Sequence, residues 1–423
     1  MTDLLPRHLE PLARELLGVM PAILIEGARQ VGKSTLAQLL AAGRTSVVAN
    51  LDDEPTRAAL VADPSYFLNR SPDTLVVLDE IQRQPELTAA VKASIDRDRR
   101  PGRFILTGSA SLLQVKGLAD SLAGRLARLT LYGLSQGEAA RRRDDFVSAF
   151  LRCSDGEIAA FRTEWTRAAY AGALSAGAYP DARVLSPRLR ARWLDDYVTA
   201  LLRRDLPTLN RQFQPHRAAS LLSGLAANQA GELVKGRLAR DAAIPETSIT
   251  TYLDLLAAIG LTASLPPWSA NLGKRSRGRP KTLIIDSALA ARQVRISADQ
   301  FTAPNYNEAF GRFLEGFAIA EVLRQQSWSD QDYQVFHRRT SDKSEVDLVI
   351  ELADSRVIGI EVKAATSFRG DDFNGLRALQ AECGDRFAGG AVLGTGATGY
   401  LYAPGLRGLP LSALWELPGA DSS

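Results

Sequence analysis

Three groups of residues in this 423-residue chain have the types and spacing that chemistry requires. The first is Gly27-Ala28-Arg29-Gln30-Val31-Gly32-Lys33-Ser34-Thr35, which follows the apolar run Ala22-Ile23-Leu24-Ile25-Glu26 and precedes a helical pattern over Leu36 to Leu40. The glycines let backbone N–H groups curl round phosphate oxygens at a helix N-terminus. Lys33 is placed to reach the β- and γ-phosphates of ATP, and the Ser34 hydroxyl to ligate Mg²⁺. The second group is Asp79-Glu80, which ends the aliphatic run Leu75-Val76-Val77-Leu78. Such a run suits a parallel strand buried on both faces. Asp79 can then hold Mg²⁺ through its water shell, and Glu80 can polarise the water that attacks the γ-phosphate. Together they imply ATP binding and hydrolysis with Mg²⁺ as cofactor.

The third group is spread over the last third of the chain. Glu315 lies in a helical pattern from about Ala309 to Arg324. In Glu345-Val346-Asp347-Leu348-Val349-Ile350 the period of two puts Glu345 and Asp347 on one face. In Ile360-Glu361-Val362-Lys363 the same period sets Glu361 beside Lys363.

Supporting residues are sought around the nucleotide motifs. Ser46 to Leu51 is a strand candidate between them, so the strand carrying Asp79 is third in sequence, the order expected when an extra strand sits between the two motifs. A fourth strand, Phe104-Ile105-Leu106, runs into Thr107-Gly108-Ser109, where Thr107 is the first choice and Ser109 the second for a γ-phosphate sensor. Ser121-Leu122-Ala123-Gly124-Arg125 precedes a fifth strand, Leu126 to Leu131. Arg125 suits an arginine finger acting in cis or in trans, and equally a surface or interdomain ion pair.

Residues 141–215 carry helical spacing, with Trp193-Leu194-Asp195-Asp196-Tyr197-Val198 and Leu201-Leu202 forming a stripe expected to pack. From Glu232 to Leu261 the pattern is helix, break at Ile244-Pro245, helix. The stretch Asn271 to Lys281 then sets Lys274, Arg275, Arg277, Arg279 and Lys281 round two glycines, which suits the wing of a winged helix and contact with nucleic-acid phosphates. The second helix of the pair shows Ser248, Thr250, Thr251 and Asp254 and no Lys or Arg, a poor reader of the major groove. Four parts are expected: 1–140 ATPase, 141–215 helical connector or lid, 216–300 winged-helix-like, and 301–423 α/β.

The two nucleotide motifs in this setting resemble the AAA+-like prokaryotic ATPases, over roughly residues 15–140. The third group resembles the PD-(D/E)XK nuclease superfamily, whose helix Glu, strand Asp and ExK positions match Glu315, Asp347, Glu361 and Lys363. That resemblance implies Mg²⁺ held by carboxylates and a water oriented by Lys363, although Val346 stands where the motif has Pro. As a whole the chain resembles a broad bacterial and archaeal family of AAA+-like ATPases whose C-terminal half is known only as a domain of unknown function. The fold class expected is α/β multidomain: a P-loop AAA+-like parallel sheet flanked by helices, a helical and winged-helix segment, then an α/β PD-(D/E)XK-like domain.

Composition narrows the biology. Apolar residues at 45% and charged residues at 23% suit a globular chain with several cores. Two cysteines far apart, Cys153 and Cys383, exclude a disulfide framework and suit a reducing compartment. With no apolar stretch long enough for a span, a cytoplasmic protein without a membrane partner is expected. The net charge of +3 hides an asymmetry: residues 180–299 hold 18 Lys/Arg against 10 Asp/Glu, and residues 300–423 hold 11 against 17. The leading reading is an ATPase whose cycle controls a DNA-facing C-terminal half. Alternatives are an ATP-gated metal-dependent DNA nuclease and a slow nucleotide switch acting on a protein partner. A homo-oligomer, ring or dimer, stays open.

Overall fold

A computed structural model describes residues 4–69, 73–109, 122, 124–210, 213–275, 278–340 and 344–418. The chain divides into two compact units, residues 1–134 with 254–261, and residues 135–253 with 262–423.

In the first unit the aliphatic runs fold as a parallel sheet of five strands: β1 (Ala22–Gly27), β2 (Ser46–Asn50), β3 (Leu75–Asp79), β4 (Phe104–Ser109) and β5 (Leu126–Thr130). Their order is β2-β3-β4-β1-β5. The strands follow the burial their composition demands, for every residue of β1 and β3 is buried whereas β2, at the edge, is largely open. Leu24, Val76, Leu78, Phe104 and Leu106 form a core with Val91 and Ile95 of the helix Leu87–Arg97. Each such side chain contributes about 1.5–3 kcal/mol by leaving water. An extra strand does separate the two motif strands, but it is β4, the fourth in sequence, aligning Ile25 with Thr107 and Leu78 with Leu106. The strand that lies between the motifs in sequence, β2, is the edge. The C-terminal ends of β1, β3 and β4 therefore bring Gly27, Asp79 and Thr107 to one rim.

The second unit begins with helices, among them Phe146–Arg152, Arg167–Ala176 and Pro187–Ala200. The stripe expected to pack does so: Trp193 stacks on Tyr197 at 5.0 Å between ring centroids, and Tyr179 closes on both. Beyond lies the helix Lys235–Asp241, with a small antiparallel sheet of β6 (Gly231–Glu232), β7 (Thr262–Leu265) and β8 (Lys281–Ile284) in the order β6-β8-β7; the helix Ile249–Ala258 starts in this unit, and its residues from 254 onward belong to the first.

A mixed sheet completes the unit: β9 (Tyr333–Arg339), β10 (Glu345–Leu352), β11 (Val357–Val362), β12 (Phe387–Gly394), β13 (Tyr400–Ala403) and β14 (Leu406–Pro410), ordered β13-β14-β12-β11-β10-β9. β10 lies antiparallel to β9 and β11, with a register shift between Val346 and Val349. The helix Asn374–Cys383 covers this sheet, its Leu376 and Leu379 entering the core with Val346, Val349 and Val357. It approaches so closely that a Cβ on Gly375 would lie 1.9 Å from the Glu345 carbonyl oxygen, which is why glycine stands there. Among the described residues no helix is long and apolar enough to cross a membrane.

Candidate functional site

The loop between β1 and the helix Lys33–Ala41 is shaped by its glycines and by one distant arginine. A Cβ on Gly27 would meet the Leu131 carbonyl oxygen at 2.1 Å, and Gly32 has φ +97°, so side chains are excluded at both positions. Gln30 also takes a left-handed conformation, φ +61°. Arg7, almost wholly buried, donates from Nη1 to the Val31 carbonyl at 2.6 Å and from Nη2 to the Tyr132 carbonyl at 2.7 Å, pinning the loop from outside. The helix that follows has no side-chain cap at its start, which leaves its first N–H groups for an anion.

Inside the loop the Lys33 ammonium rests on the Ala28 and Gly27 carbonyls at 2.8 and 3.2 Å. Burial pushes this ammonium below the usual lysine range, against the pull of Glu80 and Asp79. Ser34 Oγ donates to Asp79 Oδ1 at 3.0 Å, joining the loop to β3. These groups fit a triphosphate and a divalent cation: an uncapped helix end with a cation for the phosphates, and a hydroxyl beside a carboxylate for the metal.

Thr107 binds the two acidic residues together. Its hydroxyl donates to Asp79 Oδ1 and accepts the Glu80 backbone N–H at 3.1 Å. Glu80 itself sits at φ +60°, a conformation unfavourable for a residue with a side chain and commonest at functional sites. Gln82 holds its carboxylate: the side-chain amide Nε2 donates to Glu80 Oε2, and the Gln82 side-chain Oε1 accepts the Ser109 N–H at 3.3 Å. Thr107, expected to face the γ-phosphate, thus spends its hydroxyl on Asp79 and Glu80.

Comparison with known proteins agrees with this geometry. Residues 20–140 match the AAA domain family. An uncharacterised protein of Mycobacterium tuberculosis is 32% identical over 356 residues, which is 84% of this chain and 73% of that protein, and its Mycobacterium bovis counterpart matches equally. The chain belongs to their family. Its first unit is an AAA-type P-loop ATPase domain. Residues 167–300 and 310–414 match two domains of unknown function, DUF8612 and DUF4143. Among solved structures, the Walker-type ATPase of Pyrococcus abyssi is 18% identical, with 69% of this chain and 96% of that one covered, at a TM-score of 0.43. The AMPPCP-bound DnaA of Aquifex aeolicus is 12% identical over 59% and 85% of the two chains, at 0.24. Likenesses this distant carry no function across.

Other expected residues of this family member fall differently. Arg125 forms a two-pronged pair with Asp96, at 2.7 and 3.1 Å, which is the ion-pair alternative. Ser121 and Ala123 of its motif lie outside the described residues. In the second unit, Glu315 on the helix Asn307–Gln325, Asp347 on β10 and Glu361 on β11 do come together, and Lys363 Nζ donates to Glu361 Oε1 at 2.7 Å. Burial, and next to it the Asp347 charge, push the Glu361 carboxyl up to about 8.

The basic stretch requires correction. Arg275 makes a bidentate pair with Glu351, at 2.6 and 2.8 Å, and Lys281 is buried among carboxylates. Neither charge is offered to phosphates, because each has been drawn inward by an acidic partner on the sheet or its helix. Arg279 is exposed, whereas Arg277 and the Lys274 side chain lie outside the described residues. Sequence reasoning missed Arg7 and Gln82. Arg7 acts across 24 and 125 positions, and no local pattern marks it; Gln82, two residues past Glu80, was within reach of a search for polar groups that hold the acidic pair.

Proposed function

We propose that this chain is a Mg²⁺-dependent ATPase whose nucleotide cycle controls a nucleic-acid-facing second unit. The observation that carries the ATPase reading is the 3.0 Å bond from Ser34 to Asp79, with Lys33 buried in the loop beside it and Glu80 next in the chain. Ser34 and Asp79 would hold Mg²⁺, which when bound supplies neutralisation of phosphate charge. Lys33 and the loop N–H groups bind and orient the phosphates. Glu80 holds the attacking water and draws its proton, while Gln82 and Thr107 fix the carboxylate and its backbone. Arg7 keeps the loop in its phosphate-ready shape.

The nucleic-acid reading is supported by surface charge. Lys235, Arg237 and Arg240 on the helix Lys235–Asp241 are exposed, as is Arg279, within the basic stretch of the chain. The test of the ATPase is direct. Lys33→Ala should abolish ATP binding or turnover, and Glu80→Gln should keep binding while slowing phosphate release about 10²-fold or more. Full turnover in the Lys33 variant would sink the reading.

A further inference from the structure

Lys281 opens β8, paired with Glu232 of β6 and Leu265 of β7. Its side chain is 3% exposed, a burial that a lysine tolerates only when its charge is matched. Nζ lies 2.6 Å from Glu315 Oε1, 2.9 Å from Glu345 Oε1 and 3.1 Å from Asp347 Oδ1. An ammonium has three donors, and three carboxylates face them. The other oxygen of Asp347 accepts the Val362 N–H at 2.9 Å. Glu361 is turned to Lys363, and its Oε2 is buried with no hydrogen-bond partner among the described residues.

A divalent ion bound by Glu315 and Asp347 would need their oxygens at about 2.1 Å. It would claim the oxygens that Lys281 now holds, and the two cations would repel at close range in a medium of low dielectric. One cation must exclude the other. We propose that Lys281 is the resident cation of this cluster: its ammonium stands in for a divalent metal, and the small sheet that carries it keeps the site shut. As folded, the second unit binds no divalent ion there and cuts no phosphodiester. The unmatched Glu361 oxygen marks the cluster as one acceptor richer than a lysine needs. This inference does not depend on ATP turnover in the first unit.

The test is Mn²⁺ titration of the full chain by calorimetry and by the electron-spin signal of free Mn²⁺. All variants carry Asp79→Asn, so that the first unit's metal position does not report. With Lys281 intact, no Mn²⁺ binding that depends on Asp347 is expected. Lys281→Met should gain one equivalent, bound at least about tenfold tighter than any site in the parent, and adding Asp347→Asn should remove it. Should Lys281→Met fail to fold without metal, for want of a counter-ion, Mn²⁺ should restore its melting transition but not that of the double variant. The proposal is overturned by Asp347-dependent Mn²⁺ binding in the parent. It is equally overturned by a folded Lys281→Met that gains none, or an unfolded one that Mn²⁺ does not rescue.

Discussion

Thr107→Val separates a residue that braces the acidic pair from one that touches phosphate. The side chain is fully buried, and valine fills nearly the same space, so the change removes the hydroxyl and little else. Two bonds go: the one donated to Asp79 and the one accepted from the Glu80 N–H at 3.1 Å. Leaving a partly buried N–H without its acceptor costs about 1–3 kcal/mol, and Glu80 holds a left-handed conformation that this bond helps to maintain. If that cost is spent in displacing Glu80, kcat falls roughly 5- to 150-fold, at 1.36 kcal/mol per tenfold. Lys33 and the phosphate loop are untouched, so nucleotide affinity should move by less than about threefold. The assay is steady-state phosphate release with a fluorescent-nucleotide titration alongside. Thr107→Ser, which keeps the hydroxyl, should recover most of the rate. A direct phosphate sensor would instead weaken ATP relative to ADP. A kcat within twofold of wild type would refute the bracing role.

Two further outcomes are expected in the second unit. Glu321 is fully buried, accepts from Arg324 and from the Gln136 N–H at 2.9 Å, and has its carboxyl pushed up to about 7, chiefly by burial. Because its folded value lies above the ordinary 4.5, its contribution to stability is full below pH 4.5 and is lost as pH rises through 7. Against Glu321→Gln, which does not titrate, wild-type stability in urea should therefore fall by up to about 3 kcal/mol over that window; a difference that stays flat with pH would show the site does not titrate. Replacing Lys235, Arg237 and Arg240 together with alanine should weaken binding to duplex DNA and lower the slope of log affinity against log salt by as much as about 3. An unchanged slope in a filter or anisotropy assay would remove the helix Lys235–Asp241 from any nucleic-acid surface.

What could be read in advance was local. The phosphate loop is nine consecutive residues, and its glycines, lysine and serine declare their work by type and order. Asp79-Glu80 is legible because an aliphatic run delivers it to a strand end. The ExK group was also found from its period of two, since a strand's alternation fixes which residues share a face. Arg125 was ambiguous for a physical reason: a guanidinium serves a phosphate or a carboxylate equally well, and Asp96, the carboxylate it pairs with, lies 29 positions away in the chain.

By itself, then, the sequence marked the loop of the P-loop domain and set Asp79-Glu80 at a strand end, because these depend on neighbours along the chain. Tertiary structure alone decided that β4 rather than β2 separates the motif strands, that Arg7 clasps the phosphate loop, and that Thr107 braces Asp79 and Glu80. It also turned Lys281 from one of five basic residues in a presumed wing into the buried cation of a carboxylate cluster. Those outcomes rest on through-space distances between residues far apart in the chain, and the balance between a charge's burial and its pairing is set only when the partners meet.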